Sequence, residues 1–119
     1  MSLTDILYDA LDSVYGAQIA GVIGTDGLSV EMVITEDLPH EVEDAEFELS
    51  GLTAMAAASA DRLGIGHVYD VILEAEELTY LASLISSGYY AVLGIRPESN
   101  LGRARFAVRQ MVSQIQEEL

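Results

Sequence analysis

The chain has 119 residues, of which half are hydrophobic, and it contains no cysteine and no lysine. Its 20 acidic and 5 basic residues give a formal net charge of -15, which argues against nucleic acid and anionic membranes as partners because phosphate neutralisation requires cations. The length fits one domain over residues 1–119, and without cysteine there is no disulfide and no thiolate metal site. No apolar run is long enough for membrane insertion and no secretory signal is visible, so we expect a cytoplasmic protein.

The first predicted element is an amphipathic helix over residues 3–15. Apolar side chains recur there at the spacing of one helix face. They are Leu3, Ile6, Leu7, Ala10, Leu11 and Val14. Ser2 and Asp5 have the spacing of a capping box at the start of this helix, and Gly16 is expected to stop it.

A β-hairpin is predicted next. Residues 18–24 are apolar and β-rich, and residues 28–34 have the composition of a returning strand. Between them, Asp26-Gly27 suits a tight turn whose central positions require positive φ.

An acidic segment over residues 36–48 leads into a long helix predicted at 47–63. Its acidic side chains are Glu36, Asp37, Glu41, Glu43, Asp44, Glu46 and Glu48. We expect a solvated loop, with negative charge near the first helical turn favouring the helix dipole. The alternative is a functional segment that attracts the basic surface of a partner.

This central helix is apolar or small on nearly every side, a pattern typical of a helix that is buried on more than one side. One face carries Leu49, Leu52, Met55, Ala56, Ser59 and Leu63, and the remaining positions include Ala54, Ala57, Ala58 and Ala60. Small side chains allow two backbones to approach closely. We therefore expect one part of the helix to face the sheet and another to self-associate, with plain sheet packing as the alternative.

Three strands and a final helix complete the chain. The strands are predicted at residues 67–74, 78–85 and 89–95, and their short connections make them an antiparallel meander. The last strand is apolar almost throughout and is expected to be central in the sheet. The final helix, to about residue 118, has a buried stripe of Leu101, Ala104, Val108, Met111, Val112 and Ile115. The order α-β-β-α-β-β-β-α predicts an α+β fold with helices packed on a five-stranded antiparallel sheet.

Four motifs in this order resemble the roadblock/dynein-light-chain family, and prokaryotic members in particular. They are the hairpin GVIGTDGL at 21–28, the Ala-rich helix ending RLG at 62–64, the strands VILE at 71–74 and YYAVL at 89–93, and NLGRAR at 100–105. The resemblance implies a roadblock/profilin-like fold and a small non-enzymatic module. Such proteins form homodimers or heterodimers, join their sheets across the dimer and present paired central helices. They regulate or scaffold Ras-like small GTPases, or attach cargo to dynein, and one bacterial branch activates a polarity GTPase in motility.

No catalytic constellation is visible, so we expect neither an enzyme nor a bound cofactor or metal. His40 and His67 lack a second histidine at helical spacing, and a lone histidine is more often structural than a metal ligand. Ser86-Ser87-Gly88 is followed by a strand and not by the helix of a nucleophile elbow. Gly21 and Gly24 lie within a strand and lack phosphate-binding spacing.

The C-terminal arginines leave two interpretations open. Arg103, Arg105 and Arg109 are three of the five basic residues, and a guanidinium group can stabilise phosphoryl transfer as an arginine finger. Alternatively, they pair with the protein's own acidic side chains. Arg105 and Arg109 are four apart and share one helix face, whereas Arg103 points elsewhere. Arg96, before Pro97, is expected to help hold a turn.

The sequence therefore predicts a dimeric interaction module that binds, scaffolds or regulates a Ras-like small GTPase and pairs with itself or a paralogue. The predicted dimer or partner interface lies on the central helix and on the strand at 67–74. Its residues are Leu52, Met55, Ala57, Ala58, Val68 and Val71. The alternative function is a small-molecule sensor of the PAS or profilin-like kind, because an antiparallel sheet with flanking helices can cradle a ligand.

Overall fold

A computed structural model describes residues 1–35 and 37–118 of the chain. Eight elements follow the predicted order. The helices are α1 (Leu3–Ser13), α2 (Val42–Leu63) and α3 (Leu101–Glu118), and the strands are β1 (Ala17–Gly24), β2 (Ser29–Ile34), β3 (Asp70–Glu74), β4 (Thr79–Ser86) and β5 (Tyr89–Ile95). The predicted α+β class is confirmed. Within the described ranges, no helix combines the length and the apolar character needed to cross a bilayer.

The five strands form one antiparallel sheet in the order β2-β1-β5-β4-β3. The predicted hairpin and the predicted meander are both confirmed, and the two units join along β1 and β5. β5 lies at the centre, and every residue of it after Tyr89 is buried, as its apolar run predicted. This arrangement leaves β2 and β3 as the two edges of the sheet.

Helices α1 and α3 pack together on one face of the sheet. Their apolar stripes meet inward-facing residues of the central strands and form the larger of two cores. The predicted capping box is present, because the Ser2 hydroxyl accepts a hydrogen bond from the Asp5 amide and the Asp5 carboxylate accepts one from the Ser2 amide. α1 ends two residues earlier than predicted, since Val14 is already extended and Gly16 has a φ of 92°.

Of the helices in the described part of the chain, α2 alone lies on the opposite face. Ala45 and Leu49 pack there with Ile19, Tyr80 and Val92 in a second, smaller core. α2 begins five residues before the predicted start at residue 47, because Glu41 serves as its N-cap and the acidic side chains that suggested a loop occupy its first turns. Carboxylates at this end of a helix are stabilised by its dipole. Glu36, the first residue of the predicted acidic loop, lies outside the described residues.

Strand β3 begins at Asp70, three residues later than predicted. The connection from α2 reaches the edge of the sheet through residues 65–69, where the carbonyl of Val68 accepts a hydrogen bond from the Tyr90 phenol at 3.0 Å. Val68 was predicted to pair with a neighbouring strand, but its carbonyl is instead hydrogen-bonded to the side chain of Tyr90.

Candidate partner interface

An exposed stripe runs along the outer side of α2. Its members recur at intervals of three and four residues and are Asp44, Glu48, Gly51, Met55, Ala58 and Arg62. Met55 leaves 67% of its surface exposed, and its neighbours Gly51 and Ala58 are small. The middle of the stripe is therefore a shallow apolar surface over which another backbone can approach closely.

The structure divides the six predicted interface residues among four places. Met55 and Ala58 lie on the exposed stripe of α2, and Leu52 lies on one flank, partly buried. Ala57 and Val68 come together on the other flank, where they line a groove. Val71 is on β3, partly buried against the smaller core. These residues are contiguous along α2 and the edge of the sheet, but they do not form one flat patch.

The groove separates the C-terminal half of α2 from the sheet. It has a volume of about 410 Å³, with Ala54, Ala57 and Asp61 on the helix side and Leu84 and Tyr90 on the sheet side. Small side chains on α2 leave this space open to solvent. A volume of this size matches small-ligand sites, so the alternative sensor function would use this groove.

The second part of the candidate interface is the edge strand β3. The amide of Leu84 donates to the carbonyl of Tyr69 at 2.7 Å, and the amide of Ala75 donates to the carbonyl of Leu78 at 3.2 Å. Odd-numbered residues therefore direct their backbone groups toward β4. Because these directions alternate along a strand, Asp70, Ile72 and Glu74 direct theirs outward, to the free edge.

Apolar side chains on β3 and at the residue just before it are exposed. Tyr69 is 69% exposed, and Ile72 and Leu73 are also open to solvent. Sequence reasoning did not single out these three as interface residues, although a run of apolar residues on a strand at the end of a meander was a usable signal. Such an edge with exposed apolar side chains is a template for pairing with another chain.

A charged cluster joins the same edge strand to α3. The Asp70 carboxylate accepts hydrogen bonds from the Ser83 hydroxyl at 2.6 Å and from the Arg109 guanidinium, and Arg105 lies 3.9 Å from it. The prediction that Arg105 and Arg109 share a helix face is confirmed. Arg103 points elsewhere and donates to the carbonyl of Ser13 at 3.4 Å. Of the two interpretations of these arginines, pairing with an internal carboxylate is the one the structure supports for Arg105 and Arg109.

The two histidines differ in their surroundings. His40 is hydrogen-bonded to the Tyr80 phenol, and burial raises the pKa of Tyr80 to about 12. His67 is exposed at the mouth of the groove beside α2. Among the residues that the structure describes, no three His, Cys, Asp or Glu side chains are grouped closely enough to hold a metal ion.

Charge is distributed unevenly along α2. Its first turn carries Glu43 and Asp44, and its last turn carries Arg62, the single basic residue on this helix. The Arg62 guanidinium donates to the Ser59 hydroxyl at 3.3 Å. The N-terminal half of the exposed stripe is therefore negative and the middle is apolar.

This fold is that of the Roadblock/LC7 domains. A Roadblock/LC7 domain from Streptomyces avermitilis matches 99% of this chain and 98% of its own length, with a TM-score of 0.86 and 18% sequence identity. MglC from Myxococcus xanthus matches 100% of both chains at 28% identity, with a TM-score of 0.72. An MglB protein with a tetrameric arrangement matches 97% of this chain and 85% of its own, with a TM-score of 0.86 and 15% identity.

These neighbours are prokaryotic members of the Roadblock/LC7 family, so the resemblance that the sequence motifs indicated is confirmed over the whole fold. No protein-family profile matches the sequence, and no curated protein matches it. The similarity of this chain to the Roadblock/LC7 proteins is therefore seen in its fold and in the order of its helices and strands.

Proposed function

We propose that this protein is a non-enzymatic, cytoplasmic interaction module that forms a homodimer, or pairs with a paralogue, and binds a Ras-like small GTPase. The observation that carries the proposal is the juxtaposition of two unpartnered surfaces, the free edge of β3 and the exposed stripe of α2. The tetrameric arrangement of the MglB neighbour supports self-association.

Dimerisation through β3 satisfies backbone groups that the monomer leaves open. An added antiparallel strand pairs with the outward-facing amides and carbonyls of Asp70, Ile72 and Glu74. The same contact covers Tyr69 and Leu73, whose exposed surface is costly in water. A continuous sheet then brings the α2 helices of the two copies onto one side, because each copy carries α2 on the same face.

The GTPase docks on the paired α2 helices. Their negative N-terminal halves favour a basic surface on the GTPase, and the apolar middle around Met55 provides a contact that excludes water. The module acts by stabilising one conformation of the switch loops, which requires tighter binding to that state.

The module does not supply an arginine finger. Arg105 and Arg109 lie on α3, on the sheet face opposite α2, and Asp70 holds both. Arg62 is on α2 but lies in its last turn, where a cation is stabilised by the helix dipole.

Size-exclusion chromatography with light scattering tests the dimer. We expect a dimer at tens of micromolar, and Leu73→Arg should raise the dimer Kd at least about a hundredfold because a charge would be buried without a partner in the β3 contact. Val30→Arg is the matched control, because Val30 is 55% exposed but lies on β2, at the sheet edge opposite β3. A monomeric wild-type chain would contradict the proposal.

Binding to a GTPase from the same genome, loaded with a GTP analogue or with GDP, tests the partner. We expect tighter binding to one nucleotide state and no nucleotide turnover by the module alone. Equal affinity for both states would reduce the role to a scaffold. A loss of stimulation of about a thousandfold in Arg103→Ala or Arg105→Ala, the scale of an arginine finger, would overturn the mechanism.

A further inference from the structure

Two-fold symmetry restricts how two copies of β3 can pair. In a symmetric antiparallel pair, one residue lies on the axis opposite itself, because hydrogen-bonded and non-hydrogen-bonded pairs alternate along the ladder. The five residues of β3 allow Val71, Ile72 or Leu73 near the centre. With Ile72 on the axis, all five residues are paired and the outward-facing backbone groups of Asp70, Ile72 and Glu74 all face a partner strand. Either neighbouring register leaves one end of β3 beyond the ladder.

The Ile72 register also places charged residues opposite each other. Asp70 then faces the partner's Glu74, and Glu74 faces the partner's Asp70. Two carboxylates directly opposite on a sheet repel each other, which by itself would disfavour this register. The two arginines of α3 offset this repulsion, because both Arg105 and Arg109 lie next to Asp70 on the same face of the sheet.

The local charges balance in this arrangement. In the monomer, two guanidinium groups surround one carboxylate, which leaves one positive charge in excess beside an otherwise strongly acidic protein. Both arginine side chains are more than half exposed, whereas that of Asp70 is 23% exposed, so the guanidinium groups are accessible from the edge. When the Glu74 carboxylate of a second copy lies opposite Asp70, the two carboxylates and the two guanidinium groups have a net charge of zero.

We propose that Arg105 and Arg109 form a receptor for Glu74 of a second copy of this chain, and that this contact fixes the dimer in the register with Ile72 on the axis. The inference rests on the proposed dimerisation through β3 and adds the register and the ionic contact. On the opposite sheet face the same register sets Val71 against the partner's Leu73, an apolar pair beside α2. Selectivity for a second copy follows, because a partner strand without an acidic residue at this position leaves the excess charge uncompensated.

A charge exchange tests the contact. Glu74→Arg makes each symmetric site too positive, and Arg109→Glu makes it too negative, so each variant alone should dimerise at least about tenfold more weakly. In an equimolar mixture, each site regains two positive and two negative charges. We expect the heterodimer to recover to within about threefold of the wild-type Kd, measured by analytical ultracentrifugation at low salt.

Glu76→Arg is the matched control, because it makes the same charge change just beyond β3. It should shift the Kd by less than about threefold. A larger effect at Glu76 than at Glu74 would favour the register with Leu73 on the axis, and the proposal would be wrong. Absence of recovery in the mixture would also overturn it.

Cysteine cross-linking tests the register without altering the charges. The chain has no cysteine, so Val71→Cys, Ile72→Cys and Leu73→Cys each introduce one unambiguous thiol. Opposite residues of a hydrogen-bonded pair have Cα atoms about 5.5 Å apart, within disulfide reach, whereas a shift of one position along the strand takes them beyond about 7 Å. Ile72→Cys should therefore cross-link under mild oxidation and the other two should not.

The outcomes separate this inference from the proposed function. A monomeric wild-type chain contradicts the dimer itself. A stable wild-type dimer that cross-links at Val71 or Leu73, or at none of the three positions, leaves the dimer intact and overturns the assigned register.

Discussion

The phenol oxygen of Tyr80 lies 2.8 Å from Nε2 of His40, across a separation of 40 residues in the chain. The other ring nitrogen of His40, Nδ1, is 2.9 Å from the carbonyl oxygen of Glu41, the N-cap residue of α2. With Nδ1 protonated and Nε2 accepting, a neutral imidazole satisfies both contacts. The pair therefore ties the start of α2 to strand β4 in the sheet.

Tyr80→Phe should destabilise the protein by about 1 kcal/mol, the usual contribution of one hydrogen bond. The phenyl ring still fills the smaller core, so the loss comes from the hydroxyl contact and not from a cavity. Urea unfolding followed by circular dichroism measures the change. Tyr8→Phe, at an exposed tyrosine of α1, is the control and should change the unfolding free energy by less than about 0.5 kcal/mol. If both substitutions change the unfolding free energy equally, the hydrogen bond between Tyr80 and His40 does not contribute the stability expected of it.

Stability should fall as the pH rises from about 10 to about 12. Burial raises the pKa of Tyr80 from 10.0 to about 12, so the unfolded chain releases this proton at a lower pH than the folded chain. The contribution is complete below pH 10 and is lost as pH rises through the folded-state pKa. Burial also raises the pKa of Tyr90, which adds a loss of the same sign. Unfolding free energies measured across this range should decline less steeply in Tyr80→Phe, and an unchanged slope would contradict the assignment to Tyr80.

Gly94→Ala should destabilise the protein by about 1–3 kcal/mol, the typical cost of overpacking a core. A methyl group on Gly94 would lie 2.4 Å from Cγ2 of Ile19 and 2.8 Å from the Tyr80 ring, in the centre of the sheet. Gly51→Ala is the contrasting variant, because Gly51 lies in α2 and a methyl group there meets nothing within 4 Å. It should stabilise the monomer by about 0.5–1 kcal/mol. Thermal unfolding of both variants checks the prediction, and a stable Gly94→Ala would contradict the close packing of β1, β4 and β5.

Most of the fold was predictable because local patterns specify its elements. The apolar spacing of α1, its capping box and the hairpin of β1 and β2 each depend on a few residues, and all three predictions are confirmed. The predicted geometry of the Asp26-Gly27 turn is wrong, because Gly27 has a φ of 92° but Asp26 does not have positive φ. The apolar run of β5 also predicted its central position, because a strand covered on both faces has no polar side.

The start of α2 was missed because acidic residues were interpreted as a loop. Val42, Ala45 and Leu49 are spaced three and four residues apart and are all partly or fully buried, so the helical period was present within the acidic segment. Periodicity was the better guide there, since charged residues on the outer side of a surface helix carry no information about its length.

The candidate interface was predicted in outline only. Small residues pointed to α2, and an interface there stays a prediction. Sequence alone could not distinguish Ala57, which lines the groove, from Ala58, which lies on the exposed stripe. That distinction depends on how far α2 stands from the sheet, a property of the folded packing. The Asp70 cluster was equally hidden, because its partners Ser83 and Arg109 come from separate elements.

The ladder between β1 and β5 has a consequence for the order of folding. Its partners run from Gly24 with Tyr89 to Ala17 with Ile95, whereas the hairpin of β1 and β2 and the meander of β3 to β5 are closed by short turns. The two local units can form early, but the ladder between them closes a loop that contains β2, α2, β3 and β4. Closing this loop costs conformational entropy before the contacts between β1 and β5 can form and offset that cost. This step should therefore limit the folding rate. Substitutions along β1 and β5 should then slow folding, and substitutions on the outer side of α2 should leave the rate nearly unchanged.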